Sequence, residues 1–134
     1  MTKLRQRISR DEGFTLLEVL IVIVIIGILL AIAVPSYLGF KDRANKRAAQ
    51  SDLREAVPTA EAYYSDAGTY VGLTKAKMLS IDSGLSSAVS VNSATASGYC
   101  LKASVGNADW SVSGPGATWH KNASCSGSGV SVNA

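Results

Sequence analysis

The chain has 134 residues, a net charge of +3 and only 17% charged residues, which leaves room for one small domain and a segment outside it. Four of the 13 basic residues lie within the first ten positions. From Phe14 onward nine basic residues face eight acidic ones, so the basic character belongs mainly to the N-terminus. This balance does not indicate nucleic acid as a partner.

An apolar run follows a polar leader of residues 1–13. Phe14 to Val34 comprises 21 residues, and Glu18 is the only charge among them. As a helix this run spans about 30 Å, the thickness of the hydrocarbon core of a bilayer. A single segment satisfies its own backbone in lipid only as a helix, so residues 14–35 are predicted to span a membrane. The basic leader predicts a cytoplasmic N-terminus, with the rest of the chain outside.

Helical patterning resumes directly after Pro35, so this proline is predicted to kink the helix rather than end it. Residues 36–66 form the amphipathic half of the helix. One apolar stripe is predicted, at Leu53, Val57, Ala60 and Tyr64. The helix is predicted to end near Ser65, with Gly68 suited to a left-handed cap. At about 78 Å it is longer than any core this chain can build, so its first half must be buried in lipid or in copies of itself.

The remainder, residues 67–134, is predicted to form a small head of three or four antiparallel strands. Weak alternation, broken by glycine and turn residues, places them at 88–94, 98–105, 109–113 and 117–120. By period two, five side chains face the helix: Tyr99, Leu101, Ala103, Trp110 and Val112. The fold class is therefore α+β.

The head contains the two cysteines of the chain, Cys100 and Cys125. An even pair in a small domain outside the cytoplasm predicts a disulfide, and two free buried thiols are the alternative. Closing a loop of about 25 residues is worth roughly 3.5 kcal/mol on the loop-entropy estimate.

The stretch "GFTLLE", together with the basic leader, the 21-residue apolar helix and the proline after it, resembles the class III signal of type IV prepilins. The family pattern is glycine, an aromatic residue, threonine, two apolar residues and glutamate, and residues 13–18 match it throughout. The long helix, the strands and the cysteine pair are also similar to the αβ-roll of pilin heads.

The resemblance implies a processing site and a set of assembly residues. Prepilin peptidase would cut between Gly13 and Phe14 and methylate the new amine of Phe14, and Thr15, Glu18 and Pro35 would serve in filament assembly. The implied partners are other copies of the chain, the peptidase, and the assembly platform with its ATPase. No cofactor, metal or enzymatic activity is implied.

A charge near the start of a membrane helix needs a physical reason. A carboxylate deep in lipid costs about 2.5–3.5 kcal/mol on insertion scales and calls for a partner. Cleavage before Phe14 would supply an amine, and in a filament a neighbour's amine could lie beside Glu18 in a dry core, where attraction is strong. The hypothesis is that this pair sets the axial register of subunits.

Several other interpretations follow from the residues. A pseudopilin of a secretion or DNA-uptake machine would share residues 1–65 and differ in the head. Pseudopilins often bind calcium near the C-terminus, whereas residues 110–134 here contain no Asp or Glu. An ordinary signal peptide, with Ala31-Ile32-Ala33 as its cleavage site, would not explain Glu18 or the length of the run. A plain signal anchor would leave Glu18 incidental.

Four minor features complete the set of candidates. His120 lacks zinc-ligand spacing to the cysteines and is interpreted as a surface or strand histidine. Asn122-Ala123-Ser124 matches a weak glycosylation sequon, and the aromatic residues are interpreted as core rather than a conduction path. Four basic residues follow the predicted membrane span: Lys41, Arg43, Lys46 and Arg47. Three interpretations are open for them: a solvated face that reaches lipid head groups, a site of inter-subunit pairing with Asp42, Asp52 or Glu55, and a DNA contact.

Overall fold

The computed structural model describes residues 13–127 and 129, so the polar leader before Gly13 and the end of the tail lie outside the described residues. The elements are α1 (Leu16–Ala67), α2 (Lys75–Ile81), β1 (Val89–Ala94), β2 (Tyr99–Val105), β3 (Ala108–Gly114) and β4 (Thr118–His120). The chain divides into an N-terminal unit up to Gly39 and a head unit from Phe40 onward. The predicted α+β class is confirmed.

The N-terminal unit consists, where it is described, of the first part of α1. This helix is long and apolar enough to cross a membrane, and none of its most apolar window is buried within the structure. Helical structure continues through Pro35 and through Pro58, as predicted. A kink at Pro35 stays a prediction.

The head unit packs the second part of α1 on the sheet through small side chains. Ala49, Leu53, Ala56 and Ala60 are fully buried, at i, i+4, i+7 and i+11. The predicted stripe has the same spacing but begins one turn too late. Alanines let the helix approach the sheet closely, so the bulk of the core comes from sheet residues such as Trp110 and Leu101.

Tyr64 of the predicted stripe was placed wrongly. Leu53 and Ala60 are buried as predicted, and Val57 is half-buried and packs against the core, but Tyr64 is 40% exposed. The Tyr64 ring lies at the margin of the core, where it packs on Tyr70 with ring centroids 4.5 Å apart.

The sheet is an antiparallel meander in the order β1-β2-β3-β4. Its strands begin and end within one residue of the predicted bounds. Leu101 pairs with Val112, and Ala103 pairs with Trp110. The five side chains predicted to face the helix are all buried: Tyr99, Leu101, Ala103, Trp110 and Val112. The prediction of which side chains lie on the buried face of the sheet is thus confirmed.

Helix α2 was not predicted. It begins after Thr74, whose hydroxyl oxygen accepts a hydrogen bond from the Lys77 N–H at 3.3 Å, as an N-cap does. The helix has seven residues and buries only Met78. So short an element with one buried side chain shows no periodicity to detect. The helix end at Ala67 and the positive φ of Gly68 agree with prediction.

The two-residue turn between β2 and β3 docks on the head part of α1. Gly106 has φ +58°, and a side chain there would clash with Asn45. Asn107 donates its amide to Asp42 Oδ1 at 2.8 Å and accepts from Asn45 Nδ2 at 3.2 Å. These bonds fix one end of the sheet on the helix.

Candidate functional site

The start of α1 is closed by a reciprocal pair of hydrogen bonds. The Glu18 N–H donates to Thr15 Oγ1 at 3.2 Å, and the Thr15 N–H donates to Glu18 Oε2 at 2.9 Å. With the helix beginning at Leu16, Thr15 is the N-cap and Glu18 occupies the third helical position. This is a capping box, in which two otherwise unpaired backbone N–H groups are satisfied by side chains.

The capping box gives Glu18 a local role that the sequence analysis missed. The signal was present, because a threonine followed three residues later by a glutamate before an apolar run marks a helix start. The carboxylate also lies at the positive end of the helix dipole, where negative charge is favoured. Glu18 therefore has a partner within its own helix start, the backbone N–H of Thr15.

The apolar side chains of the N-terminal unit are open to their surroundings. From Phe14 to Leu38, every large hydrophobic side chain is between 49% and 89% exposed. Isolated exposed apolar residues are common, but a continuous apolar helix of this length marks an interaction with lipid or protein. The described part of this unit cannot bury these side chains within itself.

The disulfide predicted in the head is present. Cys100 of β2 is joined to Cys125, which follows β4, with 6.0 Å between their Cα atoms. The Cys125 N–H donates to the hydroxyl of the buried Ser111 at 2.9 Å. Together these two bonds fasten the segment after β4 to the middle of the sheet.

A carboxylate of α1 binds two tyrosine hydroxyls at the other end of the core of the head unit. Glu61 of α1 accepts from the Tyr70 hydroxyl at 2.8 Å and from the Tyr99 hydroxyl at 2.9 Å. Burial, followed by the hydrogen bond to Glu61, raises the pKa of Tyr70 to about 12 and raises that of Tyr99 as well. These hydroxyls therefore stay protonated where an unfolded tyrosine has begun to ionise.

Replacing Glu61 by alanine is expected to destabilise the head by about 2 kcal/mol, because two buried hydroxyls lose a charged acceptor. In the wild type, the contribution of these hydroxyls to the free energy of unfolding should be complete below pH 10 and fall between pH 10 and about pH 12, since the unfolded tyrosines release protons first. Thermal melting of the full chain in detergent, followed against pH, measures both effects. Tyr63→Phe is the control, because its hydroxyl bonds only the Val71 carbonyl, away from Glu61. Equal losses in the two variants would contradict the prediction.

The remaining candidates are structural in their surroundings. His120 lies in β4 and is 4% exposed, with its Nε2 3.1 Å from Ser113 Oγ, so it is a strand histidine and not a surface one. Within residues 13–127, no three metal-binding side chains of the His, Cys, Asp or Glu type come together. The Asn122 amide donates to the Ser126 carbonyl, and its oxygen accepts from the Ser124 N–H, so the sequon asparagine is engaged within its own loop.

Comparison with known proteins gives a match to a family model at the N-terminus and a longer match to a relative over most of the chain. Residues 8–34 match the family model described as the prokaryotic N-terminal methylation motif. The chain is 39% identical over 95 residues to the type IV wide pilus major component PilA4 of Thermus thermophilus, an alignment that covers 67% of this chain and 70% of that protein. The chain belongs to the type IV pilin family. The resemblance read from "GFTLLE" is thereby confirmed.

Two further relatives match this pilin over shorter stretches. The type IV major pilin protein PilA of Myxococcus xanthus is 38% identical over 61 residues, which are 46% of this chain and 28% of that protein. The type II secretion system core protein G of Escherichia coli is 49% identical over 45 residues, 34% of this chain and 31% of that protein. Both alignments cover less than a third of the relative, whereas the PilA4 alignment extends over most of both chains.

Proposed function

We propose that this pilin is the structural subunit of a type IV pilus. It is made as a membrane-inserted precursor, cut between Gly13 and Phe14, methylated on the new amine of Phe14, and polymerised through the apolar half of α1. The observation that carries the proposal is the capped apolar helix, every large side chain of which is exposed, in a chain whose head has a core of its own. Such a helix requires lipid before assembly and other copies of itself afterwards.

The disulfide supports a head outside the cytoplasm. Disulfides form and persist in oxidising compartments, and Cys100 and Cys125 are joined in the head. The basic leader agrees with this orientation. The peptidase would then meet Gly13 on the cytoplasmic side, and the head would become the outer surface of the filament. An assembly platform with its ATPase would extract the subunit from the membrane.

Glu18 is the residue proposed to select the correct assembled position. In the precursor its carboxylate accepts from the Thr15 N–H, one residue from Phe14. Cleavage would place a free amine on Phe14, within reach of the same carboxylate or of a neighbour's. An unpaired carboxylate in an apolar filament core is strongly disfavoured, so only positions that pair it with an amine would be stable.

The proposal is tested on filaments sheared from cells that express the chain. Electron microscopy should show long filaments containing this subunit, and mass spectrometry should find a subunit that begins with methylated Phe14. A subunit beginning at Val34 would instead indicate an ordinary signal peptide, and an uncut chain would indicate a plain anchor.

The second candidate function is that of a pseudopilin in a secretion or DNA-uptake machine. It is favoured by the identity to core protein G of the type II secretion system. A calcium-binding head would melt at a higher temperature with calcium than with a chelator. For a pilus subunit we expect the same melting temperature in both conditions, because the described head brings together no cluster of acidic ligands.

A further inference from the structure

Six charged side chains of the head part of α1 form two separate stripes. The basic flank consists of Arg43, Arg47 and Arg54, which fall within about 40° of one another around the helix axis at 100° per residue. The acidic flank consists of Asp52, Glu55 and Asp66, which fall within about 60°. Five of these six side chains are exposed, and Asp52 is half-buried.

Contacts with the sheet place the two flanks on opposite sides of the head. Arg54 of the basic flank lies over the Trp119 ring of β4, with the guanidinium carbon 5.9 Å from the ring centroid. Asp52 of the acidic flank accepts from the hydroxyl of Ser86, which precedes β1, at 2.9 Å. Strands β4 and β1 are the two edges of the sheet, so the flanks face away from each other.

The other acidic side chains of this part of the helix are already engaged. Asp42 accepts from Asn107, and Glu61 accepts from two tyrosine hydroxyls. They are directed toward the sheet, and neither belongs to the acidic flank. From Arg43 onward the exposed charges are thus sorted by sign, one sign on each side of the head. Lys41 precedes this stretch and lies at the helix angle of the acidic flank, 11 residues before Asp52.

We infer that the basic flank of one subunit docks against the acidic flank of the next subunit in the filament. This rests on the proposed function, since it names a second copy of the chain as the partner. Three arginines on one side match three carboxylates on the other. A surface whose two sides differ in sign favours a heterologous contact that repeats from one subunit to the next. Arg47 and Glu55 lie eight residues apart, so their pairing shifts neighbouring helices by about 12 Å along the axis.

A lone basic flank would suit a polyanion such as nucleic acid equally well. The acidic flank on the same helix decides for a second copy, because it supplies a matching surface that would repel a polyanion. The arginines are also better suited than lysines to pair with carboxylates, through their planar fork of donors.

Charge reversal with rescue tests the docking. Arg47→Glu alone and Glu55→Arg alone should each lower the yield of sheared filaments about tenfold, because each puts like charges into contact. The double variant should recover most of the wild-type yield. Lys77→Glu, on the exposed face of α2, is the matched control and should leave the yield unchanged. Each variant is also checked in detergent for an intact disulfide and for the wild-type melting temperature, which together exclude a folding defect.

A chemical link locates the contact independently. In an Arg47→Lys variant, a carbodiimide should join position 47 to Asp52, Glu55 or Asp66 of another subunit and give covalent dimers from filaments. Wild-type yield from both single reversals, or dimers linked elsewhere, would overturn the docking while leaving the proposed function standing. Unchanged filaments with weakened binding of double-stranded DNA would overturn it in favour of a polyanion. Absence of filaments from the wild-type chain would instead count against the proposed function.

Discussion

A Glu18→Val variant is expected to insert in the membrane normally but to yield at least about 100-fold fewer filaments. Insertion should survive because valine lowers the cost of placing the helix in lipid. Assembly should fail because the amine that the proposed cleavage gives Phe14 would then have no carboxylate partner in the apolar core, a loss worth about 3–5 kcal/mol for a buried pair. Quantifying the subunit in membranes and in the sheared fraction measures the two steps separately.

Glu18 has two roles that a valine removes together, and a second variant separates them. Glu18→Gln keeps a side chain that can complete the capping box with Thr15, but it removes the charge. If charge pairing drives assembly, this variant fails about as severely as Glu18→Val. If helix capping is what matters, its filament yield stays near that of the wild type, and the proposed pairing is contradicted.

Thr15→Ala provides the complementary control. It removes the hydroxyl that accepts from the Glu18 N–H but leaves the carboxylate in place. The loss of one cap costs about 1 kcal/mol at a helix end. We therefore expect a small change in yield, far below that of Glu18→Val, because the helix has 52 residues and does not depend on its first turn.

Much of this fold was predictable from two signals in the sequence, a weak alternation in the head and a long apolar run before it. The alternation around Leu101 and Trp110 gave the correct faces of the sheet, since period two leaves only two choices for each strand. The apolar run gave the membrane-length helix, since length and composition alone define it. The stripe on the second part of α1 was harder, because alanines are buried there while Tyr64 remains 40% exposed. A tyrosine ring has more apolar surface than an alanine side chain, so apolar surface alone would favour Tyr64 over the alanines for burial.

The features that were missed depend on contacts distant in the sequence or on very short signals. Glu61 binds Tyr99 across 38 positions, and no local pattern announces that pairing. Helix α2 depends on one N-cap and one buried methionine. The capping box of Thr15 and Glu18 does have a local signal, a threonine followed three residues later by a glutamate, but the pattern is only four residues long.

Loss of the disulfide is expected to have the largest effect on the stability of the head. Its loop closes a sequence separation of 25 residues, which corresponds to about 3.5 kcal/mol of chain entropy in the unfolded state. For a domain of this size that loss lowers the melting temperature by about 15–25 °C. Cys100→Ala/Cys125→Ala is the variant, melted as the full chain in detergent.

Two comparisons show whether the cross-link itself is responsible. Wild-type chain reduced with dithiothreitol should melt close to the double variant, because it loses the same cross-link without losing the sulfur atoms. Ser111→Ala removes the hydroxyl that accepts from the Cys125 N–H and should cost only about 1 kcal/mol. A double variant that melts as high as Ser111→Ala would mean that packing around β3, and not the cross-link, holds the segment that follows β4. In the proposed orientation the head lies outside the cytoplasm, so we expect protease to cleave the heads of reduced filaments well before those of wild-type filaments.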